Sequence, residues 1–175
     1  MGVPAQWLAQ DWSEADAAIF KATLGDAAWQ AEWELLTLLR AVDTWIGHLR
    51  GQAAALVQMD ATAALHTAMR GAGRTPVMNA LAAELALRME SAGAGIAPEH
   101  LSGTLNFECD ALSRLAQGAE IPAALRGARR VHPRALTPSF FLVWPRSLLS
   151  HPPLPLATAC GPGACGRGVV VTGRH

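Results

Sequence analysis

Three carboxylates stand where acidic side chains can do chemistry rather than only solvate a surface: Glu34, Asp60 and Asp110. Glu34 falls among apolar residues of a helical pattern, where an uncompensated charge is costly. Asp60 follows the apolar run Ala53-Ala54-Ala55-Leu56-Val57-Gln58-Met59, which reads as a buried strand. The carboxyl ends of such strands are where α/β sheets place ligands. Asp110 lies in the first turn of a final helix. Carboxylates converging at a strand end are hard oxygen ligands suited to Mg²⁺, and such an ion activates water against a phosphodiester. Each of the three also has a plainer role. Glu34 fits a helix-surface charge, Asp60 a cap on the following helix, and Asp110 a first-turn acid favoured by the helix dipole.

Other reactive residue types are less organised. Cys160 and Cys165, spaced C-x₄-C with His151 and His175 nearby, lack the tighter paired spacing of structural zinc sites. They also sit around Gly161-Pro162-Gly163, so no zinc site is read there. With Cys109 they make three cysteines, which form no disulfide framework of the kind small secreted domains use. Trp29, Trp33 and Trp45 have the ring area to stack on bases, but helical spacing assigns at least Trp45 to a core, and core is the favoured reading for the set. Arg126, Arg129, Arg130 and Arg134 form a basic stretch that reads as a solvated linker rather than a phosphate-binding surface.

The elements that must position the carboxylates follow from periodicity. Between Asp26 and Arg50, at about 100° per residue, Leu35, Leu38, Leu39, Ala41, Val42, Trp45, Ile46 and Leu49 fall in one sector roughly 160° wide. Glu34 lies inside that sector, while Arg40, Asp43 and Arg50 lie outside it, so the pattern predicts a helix with one broad buried face. Gly51 ends it and the strand at 53–59 follows. Residues 61–70 form a short helix closed by Gly71. Thr75 and Pro76 are a cap and first-turn proline, opening a helix that carries Val77, Leu81, Leu85 and Met89 on one face and stops before Gly93. A weak strand is read at 96–101 and a last helix at about 106–116. The body thus runs helix, strand, helix, helix, strand, helix.

On this framework the run His100-Leu101-Ser102-Gly103-Thr104-Leu105-Asn106-Phe107-Glu108-Cys109-Asp110-Ala111-Leu112-Ser113-Arg114 resembles the H-x-x-G-x-x-N-x-x-A-D-x-L-S-R segment. That segment closes the ribonuclease H domain of retroelement reverse transcriptases of the LTR and DIRS types. Cys109 replaces the family's small Ala. Met59-Asp60-Ala61-Thr62-Ala63-Ala64-Leu65 resembles the D-[SN]-x-x-A-L after the family's fourth strand, and Trp33-Glu34-Leu35-Leu36-Thr37-Leu38-Leu39 the W-E-x-L-A-L-L of its first helix. The three motifs come in family order and cover roughly residues 5–116.

The resemblance implies an α/β, RNase H-like fold, a mixed sheet with flanking helices. It also implies an endonuclease in which four carboxylates hold two Mg²⁺ ions and hydrolyse the RNA strand of RNA–DNA hybrids during reverse transcription. Glu34, Asp60 and Asp110 fall on the second, third and fourth of those carboxylates. The first, an Asp on the opening strand, has no counterpart. Asp11 and Asp16 lie in a turn and helix start and are rejected as replacements. The family's loop histidine is replaced by Leu105, and His100 matches the more structural histidine. The fold is therefore expected to be incomplete, with its first two strands missing, Met1 falling after them, and Val3 to Ala9 standing as a third strand without a neighbour. The central face of the first helix is expected to be uncovered. Weak or absent Mg²⁺ binding and no hydrolysis by this chain alone follow as expectations. The implied partners are an RNA–DNA hybrid and, within a polyprotein, an upstream reverse transcriptase and a downstream integrase or recombinase. The competing expectation is a non-catalytic interaction protein that binds a partner through an exposed apolar helix face.

Composition bounds both readings. Lys plus Arg and Asp plus Glu are 14 each, which excludes binding to nucleic acid by bulk positive charge and equally an acidic disordered chain. Charged residues are 16%, below the roughly 25% of ordinary soluble domains, so few surfaces are built from charge alone. No apolar run approaches the ~18 residues of a bilayer span, and no signal peptide is evident. A soluble intracellular protein with no membrane partner is expected. Prolines at 133, 138, 145, 152, 153 and 155 mark a change in character. The expected organisation is a partial domain at 1–118, a basic linker at 119–134 and a disordered Pro/Gly-rich tail at 135–175.

Overall fold

The structure, a computed structural model, describes residues 6–143. In chain order its elements are β1 (Gln6–Trp7), α1 (Glu14–Phe20), α2 (Gln30–Leu49), β2 (Ala54–Met59), α3 (Thr62–Arg70), α4 (Pro76–Ala92), β3 (Gly95–His100), α5 (Phe107–Leu112) and β4 (Arg129–Arg130). Short 3₁₀ turns join several of them. The class is mixed α/β, and the helix–strand–helix–helix–strand–helix order from α2 to α5 is the order expected from periodicity.

Local chemistry accounts for the boundaries. Ser13 and Asp16 close a reciprocal capping box on α1, the Asp16 amide donating to Ser13 Oγ and the Ser13 amide to Asp16 Oδ2. Asp16 is thereby a capping residue. Thr75 Oγ1 accepts from the Met78 amide at 3.1 Å and Pro76 fills the first turn of α4, where a missing N–H costs nothing. The same hydroxyl donates to Glu32 Oε1 at 2.8 Å and so fixes the start of α4 against α2. Gly93, at φ +64°, ends α4 in the left-handed conformation.

β2 and β3 pair in parallel, Leu56 beside Ala97 and Met59 beside His100. Parallel strands need a long crossover, and α3 and α4 supply it. Val57 and Met59 point into the core, whereas Ala54, Leu56 and Gln58 on β2 and Gly95, Ala97 and Glu99 on β3 are exposed. One face of this two-stranded sheet is therefore bare. A second parallel pair joins β1 to β4, Trp7 beside Arg130. The N-terminal strand thus has a neighbour, against the expectation that it would stand alone. Trp7 Nε1 donates to Ala128 O at 3.2 Å and the Arg130 guanidinium lies over the Trp7 ring.

The core is organised around α2. The one-faced helix expected from its sequence is instead buried continuously from Glu32 to Val42, Arg40 included at 2% exposure. Helix α4 packs along it most extensively, Trp12 stacks on Trp33 at 5.1 Å, and Phe20 meets Trp33 edge-on. Trp33 and Trp45 are core residues, and Trp29 packs partly buried against the same cluster.

Two organisational expectations are corrected here. Residues 135–143 are not an unpacked tail: Leu136, Phe140 and Phe141 are buried in the main core with α1, α2 and α4. Residues 119–134 are not a free linker either. Leu125 is buried with Trp7, Ala9 and Leu112, and Val131 packs beside Leu8, Ala41 and Trp45. The physical reason is a set of charged groups that look solvent-facing in sequence but are turned inward. Arg88 pairs with Asp43 and donates to the Phe140 carbonyl. Arg40 donates to Arg134 O at 2.7 Å, and Arg134 reaches Asp43 at 3.2 Å. The Glu84 carboxylate, fully buried, accepts from the backbone amides of Leu142 and Val143. The chain from 134 to 143 is a strap bound across α2 and α4. The remaining residues of the expected tail, 144–175, including Cys160, Cys165, His151 and His175, lie outside the described residues.

Candidate functional site

The carboxyl ends of β2 and β3 open onto the loop that leads into α5, and there two of the three motifs meet. Asp60 leaves β2 directly into α3. The capping position of α3 is held by Ala61 and carries no side-chain cap, so Asp60 is not the helix cap that its position suggests. Its Oδ2 instead accepts a 2.9 Å hydrogen bond from Asn106 Nδ2, across 46 residues of sequence. Asn106 is the residue before α5, and its carbonyl accepts from the Asp110 amide at 3.0 Å. One side chain and one carbonyl of Asn106 thus tie Asp60 to the turn that carries Asp110. Asn106 was legible as part of a motif but not as the link between the acids.

Asp110 sits in the first turn of α5 and pairs with Arg114 one turn on. Both side chains are about half exposed, 43% and 57%, so the pair is a weak i,i+4 interaction rather than a buried ion pair. Glu34 is buried on α2 at 4% exposure, not on the helix surface. Its Oε1 accepts from Gln30 Nε2 at 2.9 Å, which gives a buried carboxylate the partner it requires.

Glu34, Asp60 and Asp110 are not gathered into one metal centre. Among the described residues, no group of three or more His, Cys, Asp or Glu side chains is placed to hold a metal ion. Each of the three acids is engaged by a neighbour close in the chain or by Asn106. The residues present do not fit the two-metal, carboxylate-bridged arrangement that the resemblance implies. His100 ends β3 and is exposed, and Leu105 and Phe107 flank Asn106 with their side chains in solvent. Exposed apolar side chains thus stand beside the Asp60–Asn106 link.

The arginines read as a solvated stretch divide by role. Arg130 and Arg134 are structural. Arg130 donates to Ala9 O and covers Trp7, and Arg134 lies over Phe140 at 5.1 Å. Arg126 makes an exposed pair with Glu120 at 3.2 Å. Burial acts on Arg40 as well: desolvation lowers its pKa, and the charges of Asp16 and Asp43 oppose that shift. It lies under the strap, among groups that hold the fold rather than beside Asp60 and Asn106. Among the described residues, no helix is long and apolar enough to cross a membrane.

No protein-family model matches the chain, and neither a curated protein nor a solved structure matches it.

Proposed function

We propose that this chain is a ribonuclease H-like segment of retroelement ancestry that does not itself cleave RNA. The observation that carries the reading is the Asn106–Asp60 hydrogen bond. Two motifs far apart in the sequence meet side chain to side chain at the carboxyl end of a parallel strand, where α/β folds put their ligand sites. The element order from α2 to α5 supports the same ancestry. Catalytic silence follows from the carboxylates. A hydrolytic metal site needs oxygen ligands converging with positions left open for water and substrate, and Glu34, Asp60 and Asp110 do not converge. The ligand class that this ancestry implies is an RNA–DNA hybrid.

A labelled RNA–DNA hybrid incubated with the purified full chain and Mg²⁺ tests both halves. The expected result is uncut RNA, together with hybrid binding measurable at low salt. Mg²⁺-dependent cleavage abolished by Asp60→Asn overturns the silence. Absence of any hybrid binding at low salt overturns the ancestral function. The exposed apolar helix face on which an interaction-protein reading would rest is not found on α2, which is enclosed along most of its length.

A further inference from the structure

We propose that the open edge of β2 is a self-association surface: two copies pair their β2 strands antiparallel about a two-fold axis through Leu56, making a four-stranded sheet. This inference is independent of any nuclease ancestry and rests on how the two edges of the β2–β3 sheet differ.

The Gly95 amide donates to Ala53 O at 3.1 Å and the Leu101 amide to Met59 O at 2.9 Å. With the period-two alternation of a strand, odd-numbered residues of both strands bond across the pair and even-numbered residues face outward. On β3 the outward residues include Pro98, which has no N–H to offer, so that edge is blunted in the way natural sheets protect themselves. On β2 the outward residues are Ala54, Leu56 and Gln58, each presenting one amide and one carbonyl. No strand among the described residues pairs with that edge. Ala54–Met59 contains no charge and no proline, and Leu56 leaves 56% of its surface in solvent. Among the described residues this is an unprotected strand edge.

A second copy suits it better than an arbitrary partner because one register satisfies the whole edge. Centred on Leu56, the antiparallel pairing sets Leu56 against Leu56 and Ala54 against Gln58. All three are hydrogen-bonded pairs that exchange both bonds, so the six outward groups of each strand all find partners. The same register brings the Arg50 end of each strand to the Asp60 end of the other, so the flanking charges are opposite in sign. The two Leu56 side chains cover one another on the bare face. Because Pro98 blunts the outer edges that remain, the assembly closes at two copies instead of growing into a fibre. The interface is small, which implies a weak dimer with a Kd on the order of 10 µM.

Sedimentation velocity on the full chain over a range of concentrations is expected to show a monomer–dimer equilibrium. Leu56→Lys should weaken it by about tenfold or more, through like charges at the axis and the lost Leu–Leu contact. Ala97→Lys, on the same bare face but on β3, should leave it unchanged. Register is read by cross-linking with Cys109, Cys160 and Cys165 replaced by Ser. Leu56→Cys should form an inter-chain disulfide readily, since facing Cα atoms in such a pair lie about 5.5 Å apart. Gln58→Cys should not, since its counterpart lies about 14 Å along the strand. A monomer at every concentration gives the edge to another segment or to no partner and overturns the proposal. So does a dimer indifferent to Leu56→Lys, or cross-linking at position 58 equal to that at 56. Circular dichroism of each variant identifies any loss of fold, and in that case Leu56→Thr carries the same test without an added charge and should also weaken the dimer.

Discussion

The strap side of α2 and the β2–β3 sheet are built on opposite principles. Across α2 and α4, residues 134–143 are held by Asp43, Glu84, Arg88 and Arg40 together with two buried phenylalanines, although Arg40 and Arg88 each keep buried N–H groups without a partner among the described residues. The sheet has two strands, one bare face and one unblunted edge. Isolated two-stranded pairs are marginal in water, and parallel ones usually carry helices on both faces. The sheet is therefore held by its inner face, through Val57 and Met59 in the main core, while the strap supplies the over-determined part. Stability in this chain is concentrated in the helices and their strap, and the sheet presents the surface open to other molecules.

Substitutions can break this contrast. Phe140→Ala should have the largest effect. The ring is 1% exposed and lies under the Arg88 and Arg134 guanidinium groups, so a loss of about 4 kcal/mol is expected from urea denaturation. A loss below about 1 kcal/mol would mean that the strap is an ornament rather than part of the core. Arg40→Met should act in the opposite direction. Arg40 Nε and Nη1 are buried and find no hydrogen-bond partner among the described residues, and the pKa lowered by burial states that the charged form is disfavoured there. For a base whose folded pKa lies below its unfolded value, that penalty is present in full at every pH below the folded pKa, neutral pH included. Replacement by an apolar side chain of similar length should therefore raise stability by about 1 kcal/mol, and the gain should be flat between pH 6 and pH 8. Smallest of all, Leu56→Ser, measured at low protein concentration where association is absent, should change stability by less than about 0.5 kcal/mol. A larger loss would show that the outer face of the sheet is covered.

The helices and strands were legible because their signals are local. Thr75-Pro76, Gly71 and Gly93 mark ends by backbone chemistry that acts within a few residues, and β2 and β3 were placed to within a residue or two. The degree of burial of α2 was not legible. A helical wheel ranks directions but does not count neighbours, so Arg40 and Asp43 looked like an exposed face. The strap was missed for a related reason. Its prolines argue for loss of local order, and nothing local marks Glu84 and Arg88 on α4 as its anchors. In the site, the three acids were identified singly and α5 was found. What no periodicity gives is that Asn106, 46 residues away, takes up Asp60 while Asp110 turns to Arg114.

The strap also sets the tempo of folding. Its anchoring bonds join Glu84 to residues 58 and 59 positions downstream, and Arg40 to a carbonyl 94 positions away. The β1–β4 ribbon at the other side joins Trp7 to Ala128 across 121 positions. Contacts of that span are made only after long loops have closed, and the entropy of closure is lost before the bonds form. The helices can collapse early on local signals alone, yet the core around α2 remains unsealed until the chain beyond Arg134 has arrived. Until then Phe20 lacks the edge-on ring that Phe141 supplies, and apolar surface left open in this way is where folding and aggregation compete.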